Sequence, residues 1–180
     1  MKTLEVRRHS LTKKGTERQT GSLLSREGVR RAREVGSTLP AFGYVLTGPD
    51  RRHIETAIAM GYSVDEVVDW PSGYVPGVVD HHDQWRWDFA FSRYADLLTS
   101  SETFRAVVDE HLWHWHRALD RVDDGGAVLV ISSGGSIEPV LVAACPDGDF
   151  PTWGSALHHL DGANLVFDRD RVALTMRRYG

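Results

Sequence analysis

The sequence predicts a three-layer α/β/α sandwich around a mostly parallel central sheet, and three observations carry that expectation. Segments of strand pattern alternate with segments of helical pattern along the chain, the order from which βαβ units are built. Ala127 to Ile131 is apolar at every position, as in a strand that helices cover on both faces. Segments of unusual chemistry follow directly after strands, where sheets of this kind bind ligands.

Thr3 to Val6 reads as the first strand. Ser25 is a suitable N-cap for a helix in which Val29, Ala32, Val35 and Leu39 recur at helical spacing. Tyr44 to Leu46 reads as a second strand, Thr47 to Asp50 as a turn, and Arg51 to Met60 as a helix. Val64 to Val68 is a third, short strand candidate. Pro71 to Trp87 is rich in Gly, Pro, Asp and His, an irregular stretch of a length that often carries function. Phe89 to Leu98 and Glu102 to Val122 are expected helices. The second has an apolar stripe of Phe104, Val107, Val108, Leu112, Trp115 and Leu119. After the strand Ala127 to Ile131, the turn Ser132 to Ser136 leads into a helix from Ile137 to Ala144. Asn164 to Asp168 and Arg171 to Met176 close the chain as two strands joined by a tight turn.

The 180 residues fit one domain with a substantial core, and 1–180 is read as a single unit. Hydrophobic residues at 41% and charged residues at 26% argue against disorder. The net charge of −4, without a long basic block, gives no reason to expect nucleic acid. The longest apolar runs are far too short to span a bilayer, so no membrane is expected. MKTLEVRRHS carries charge where an export signal would need an apolar run, and the single cysteine, Cys145, excludes an internal disulfide. The expected compartment is therefore the cytoplasm. The sequence leaves room for a homodimer.

Three strand-end segments carry the chemistry. Arg8-His9-Ser10 places a guanidinium and an imidazole after the first strand. Thr47 to Arg52 opens a helix with two arginines. Ser132 to Ser136 is a Gly-rich turn into a helix N-terminus, where free N–H groups favour an anion. Because the arginine fork matches phosphate oxygens in two-point contacts, the three together describe an anion site with an imidazole in it.

These residues also resemble a family. Leu4-Glu5-Val6-Arg7-Arg8-His9-Ser10 is similar to the strand and Arg-His-Gly signature of the histidine phosphatase, or phosphoglycerate-mutase-like, superfamily. Leu24 to Gly28 followed by Ala32 resembles its helix start. Thr47 to Ala57 resembles its "Ser-Pro-x-x-Arg-x-x-x-Thr-Ala" segment, with Arg52 at the arginine. Val128 to Gly135 resembles its "Val-Ser-His-Gly-Gly" strand and turn. The resemblance implies that His9 attacks a phosphomonoester and forms a phosphohistidine that water hydrolyses. Arg8, Arg52, Ser133 and Gly134 would hold the phosphoryl group, and neither metal nor other cofactor would be needed. The acid for the leaving alkoxide would come from the Pro71 to Trp87 loop, with Asp83 preferred over Asp80. The partner implied is a small phosphorylated substrate or phosphate itself.

The sequence departs from that pattern at Ser10, at Gly48 and at Ser133. The last stands where the family has its second histidine. A serine hydroxyl is a shorter, neutral donor, and losing one preorganised donor typically costs on the order of 10²–10³ in rate. Ser133→His is accordingly expected to raise turnover. Two readings stay open: a phosphomonoester hydrolase working through His9, or a catalytically impaired relative that binds a phosphorylated ligand or protein partner.

Other residues attract blander readings. His81-His82-Asp83 lacks further ligands at metal spacing, so no metal is expected. His111 and His114 are expected to pack beside the tryptophans of their helix. His158-His159 is placed at the rim of the pocket without a catalytic role. Glu138, in the first turn of its helix, is favourable there for dipole reasons or could orient a ligand.

Overall fold

A computed structural model describes residues 1–13, 22–80, 87–168 and 171–179. Its strands are β1 (Lys2–Arg8), β2 (Tyr44–Thr47), β3 (Glu66–Val67), β4 (Ala127–Ser132), β5 (Gly162–Asp168) and β6 (Arg171–Arg177). They form one sheet in the order β3-β2-β4-β1-β5-β6. β1, β2 and β3 run parallel to their partners on the β4 side, whereas β5 and β6 are antiparallel. The helices are α1 (Arg26–Gly36), α2 (Arg51–Met60), α3 (Ala90–Ser100), α4 (Glu102–Leu119) and α5 (Gly134–Ala144). The expected sandwich is therefore present.

The pleat explains the layering. Successive side chains of a strand face opposite sides. In β4, Val128 and Val130 join the core that includes residues of α3, α4 and α5, while Leu129 and Ile131 join the core that includes residues of α1 and α2. In β1, Leu4 and Val6 take the α3–α5 side, which leaves Glu5 and Arg7 for the other face. There they form a buried ion pair, with Glu5 Oε1 accepting from Arg7 Nε at 2.7 Å. The same alternation sends Arg8 to the α5 side.

Local signals account for most helix ends. Ser25 caps α1 by accepting from the Gly28 N–H at 2.9 Å, and Ser101 caps α4 by accepting from Phe104 N–H at 3.2 Å. α2 spans the residues its periodicity predicts, with His53, Thr56, Ala57 and Met60 as its buried stripe. Some boundaries differ. α5 begins at Gly134, before the expected Ile137, because Ser133 takes the N-cap and two glycines of weak helix propensity fill the first turn. This brings the helix N-terminus directly to the end of β4. α3 begins one residue after the expected Phe89, which ends a 3₁₀ turn from Trp87 and is exposed. α4 ends at Leu119, short of Val122, and the third strand shrinks to Glu66–Val67.

His111 packs its ring on Trp70 at 5.0 Å and hydrogen-bonds the Pro71 carbonyl through Nε2 at 2.7 Å, and His114 lies against Trp70 and Trp113. Both therefore serve packing. Cys145 ends α5, where burial pushes its thiol up to about 11. Among the described residues, no helix is long and apolar enough to cross a membrane.

Candidate active site

The parallel strands β1, β2 and β4 end at one edge of the sheet, with Arg8 beside Ser132 and Thr47 beside Ile131. That register brings the three chemical segments together. A cavity of about 660 Å³ opens there, with Arg8, His9, Arg52, His53, Ser133 and Glu138 on its walls.

His9 follows β1 and is held by its own backbone. Its N–H donates to the Ser132 carbonyl at 2.9 Å. Its Nδ1 lies 2.8 Å from the Ser10 carbonyl oxygen, which can only accept, so Nδ1 carries the ring proton. The lone pair is thereby assigned to Nε2. Burial holds the ring well below the usual imidazole range, and His53, Arg52 and Arg8 push in the same direction against the Ser10 hydrogen bond. His9 is thus a neutral imidazole with an oriented free nitrogen, set among cations. The departure at Ser10 has a structural use. Its hydroxyl donates to the Gly28 carbonyl at 2.7 Å and its N–H donates to Thr56 Oγ1 at 3.0 Å, tying the end of β1 to α1 and α2.

Arg8 donates through one terminal nitrogen to the Leu157 carbonyl, and burial lowers its pKa from the ordinary value. Arg52 pairs with Asp50 and lies 3.4 Å from Ser133 Oγ. The Nε of each arginine is buried without a hydrogen-bond partner among the described residues. Ser133, as N-cap of α5, does not spend its hydroxyl on the helix and instead faces Arg52 and His53. In the first turn of α5 the Ser136 and Ile137 N–H groups donate to the Ser133 carbonyl at 3.0 Å, and those of Gly134 and Gly135 are left without an intrahelical carbonyl partner. Two guanidiniums, a hydroxyl and a helix N-terminus therefore converge beside a neutral imidazole, an arrangement whose donors match the oxygens of an anion such as a phosphoryl group.

Arg8, His9, Arg52, Ser133 and Gly134 all line this one cavity. Asp83 lies outside the described residues, as do His81 and His82. Asp80 is exposed and accepts from the Gly77 N–H at 2.8 Å. Glu138 is the buried carboxyl of the cavity. It accepts from the Leu157 N–H at 2.6 Å and hydrogen-bonds Tyr94, and burial raises its pKa against the pull of Arg8.

Two further histidines stand close to His9: His159, from the pair that the sequence places at the pocket rim, and His53, which the sequence does not single out. The ring of His159 stands edge-on to His9 at 5.4 Å, and burial and Arg8 lower its pKa to about 4. The ring of His53 lies 5.6 Å from that of His9, with Nε2 2.9 Å from Ser133 Oγ. The signal for His53 was its place at the head of the α2 stripe that continues through Thr56, Ala57 and Met60. Among the described residues, no group of three or more His, Cys, Asp or Glu side chains is placed to hold a metal ion.

The sequence matches no family model and no curated protein. Solved structures match over almost the whole chain. Phosphoserine phosphatase from Entamoeba histolytica, in complex with 3-phosphoglyceric acid, superposes with a TM-score of 0.70 at 14% identity, covering 99% of this chain and 98% of its own. The alpha-ribazole phosphatase of Shigella flexneri gives 0.66 at 13% identity, covering 98% and 96%. YhfR of Bacillus stearothermophilus gives 0.65 at 18% identity, again covering 98% and 96%. Identities this low speak for the fold alone, and the chain has the phosphoglycerate-mutase-like fold of these proteins.

Proposed function

We propose that this chain is a phosphomonoester hydrolase that works through a phosphohistidine at His9. One observation carries the reading. A neutral imidazole, with its free nitrogen fixed as Nε2 by the Ser10 carbonyl, stands in a cavity with two arginines whose Nε groups are unpartnered among the described residues. Phosphatases among the solved structures of the same fold support it.

The step balances with the residues present. The Nε2 lone pair attacks phosphorus, the bond to the ester oxygen breaks, and the leaving alkoxide takes a proton. Arg8, Arg52 and the N-terminus of α5 hold the phosphoryl oxygens as charge spreads over them. Water then attacks phosphorus and gives a proton back to the group that protonated the alkoxide, the P–N bond breaks with its electron pair returning to Nε2, and phosphate leaves. The scheme calls for no metal. A cavity of about 660 Å³ suits a small phosphorylated metabolite.

Glu138 is our choice for the acid. Its carboxyl and the Arg8 side chain crowd the same side of Gly134, where a Cβ would lie 3.2 Å from Glu138 Oε1 and 3.3 Å from Arg8 Cδ. Its raised pKa keeps the proton to higher pH than an ordinary glutamate would. An acid must be protonated to act, so kcat should fall as pH rises through that pKa. Glu138→Gln should lower kcat on alkyl phosphates by about 10²-fold and flatten that limb. It should cost far less on nitrophenyl phosphate, whose leaving group needs no proton. Equal losses on both esters would show a structural carboxyl instead.

The direct test is rapid quenching of the wild type with a labelled phosphomonoester. The expected product is an acid-labile, base-stable phosphoenzyme that maps to His9. Saturable oxyanion binding without turnover or phosphoenzyme would favour the ligand-binding relative.

A further inference from the structure

We propose that His53 is a second catalytic imidazole, whose Nε2 contacts the phosphoryl group that His9 attacks, in the place where Ser133 alone offers only a hydroxyl. The inference rests on the phosphoryl-transfer reading above. Its geometric basis is independent of any particular substrate.

His53 is 3% exposed, and what it shows faces the cavity. Its ring is tilted 44° to that of His9, and its Nε2 lies 2.9 Å from Ser133 Oγ and 4.0 Å from Asp50 Oδ2. Arg52 precedes it on the same helix turn and reaches the same serine hydroxyl. A phosphoryl group held by Arg52 and Ser133 opposite His9 is therefore within reach of this ring.

Three positions that depart from the family pattern, or that the pattern leaves open, fit one another here. A Cβ on Gly48 would sit 2.6 Å from His53 Nδ1 and 3.1 Å from Trp70 Nε1, so the glycine opens the space that the imidazole fills. Ser133 is short enough to meet Nε2 at hydrogen-bond distance, 2.9 Å from its Oγ, so the His53 ring already stands directly beyond the side chain at 133. Gly48 and Ser133, each a lost hydrogen-bonding group when read alone, together admit one imidazole from α2.

The charge logic agrees. In the free protein, burial and Arg52 hold His53 down to about 3, so the ring is neutral at neutral pH. The charged or titratable groups facing it are Arg52, Asp50 and His9. A phosphoryl dianion bound among them favours a proton on Nε2, where it can be donated to a phosphoryl oxygen. One consequence reverses the sequence expectation: Ser133→His alone should not raise turnover, because its site is occupied.

The test uses the full chain and inorganic vanadate alongside a phosphomonoester. His53→Ala should lower kcat by about 10²-fold with a smaller change in KM, and should weaken vanadate binding by at least about tenfold. His53→Ala with Ser133→His should regain about tenfold over His53→Ala, because an imidazole returns from the other side. In the unmodified protein, the ring nitrogen signals of His53 should shift on vanadate titration in labelled-histidine NMR. Unchanged vanadate affinity in folded His53→Ala, or His53 signals that ignore vanadate, overturns the proposal. If the wild type binds vanadate but turns over no ester, the hydrolase reading fails. Vanadate affinity and the NMR shift then still decide for or against His53.

Discussion

His9→Ala should abolish ester hydrolysis, with a loss of at least about 10³-fold and no trapped phosphoenzyme. No other nucleophile shares the position. In the role proposed above His53 Nε2 carries a proton and donates, so it offers no lone pair for attack, and His159 meets His9 edge-on. The substitution removes the ring but leaves Arg8, Arg52 and the α5 N-terminus in place, so vanadate should still bind. That separation of binding from turnover is the informative part. Because the pKa of His9 is held well below the imidazole range, wild-type kcat should not fall through protonation of this ring as pH drops through about 6.5. An acid limb at that pH in the wild type would point to another group. Residual turnover in His9→Ala near the wild-type rate would remove His9 from the chemistry altogether.

The site was legible in the sequence where a short motif fixes a residue on a strand end or helix start. Arg8 and His9 follow an apolar strand, Arg52 opens a helix whose bounds are as predicted, and Ser133 and Gly134 follow a strand apolar throughout. His53 was not legible in that way. Its role depends on the approach of α2 to α5, two elements about eighty residues apart in sequence, and on space freed by Gly48. A residue-by-residue reading scores Gly48 and Ser133 as two separate losses, whereas packing couples them. Sheet order needed the same long-range information. Nothing local says that β4 inserts between β1 and β2, and that insertion is what aligns three strand ends. The early start of α5 was hidden by Gly134 and Gly135, since propensity argues against glycine where tertiary contacts supply the helix. Asp83, the acid to which the sequence points, lies outside the described residues, and Glu138 reads from sequence as a helix-dipole residue or a ligand-orienting one. The burial that raises the pKa of Glu138 comes from tertiary packing, which no local sequence signal shows.

Glu5→Ala should destabilise the fold by about 3–5 kcal/mol, the usual cost of leaving one member of a buried ion pair without its partner. Glu5 and Arg7 are both buried on the α1–α2 face of β1, with Arg7 NH2 2.6 Å from Glu5 Oε1. Glu5 Oε2 also accepts from Asn164 Nδ2 at 2.9 Å, which extends the network to β5. The free end of Arg7 donates to the Leu160 carbonyl at 3.0 Å. Leu160 has a φ of 69°, a left-handed backbone that costs a non-glycine residue about 1–3 kcal/mol and persists only when its surroundings hold it. Its N–H donates to the Arg8 carbonyl at 3.1 Å, and the Arg8 N–H donates to the Asp161 carbonyl at 2.8 Å. The pair thus clamps the segment that carries His159 and the Leu157 carbonyl against the end of β1, one residue before the nucleophile. Urea titration should place the midpoint of Glu5→Ala well below wild type, and Glu5→Met with Arg7→Met should recover much of the difference by removing both charges. The double variant should nonetheless stay below wild type in kcat, because Leu160 loses the donor that fixes it. A loss under about 1 kcal/mol in Glu5→Ala would mean that Arg7 finds water or another acceptor. Full activity in the double variant would mean that the segment holds its backbone without Arg7.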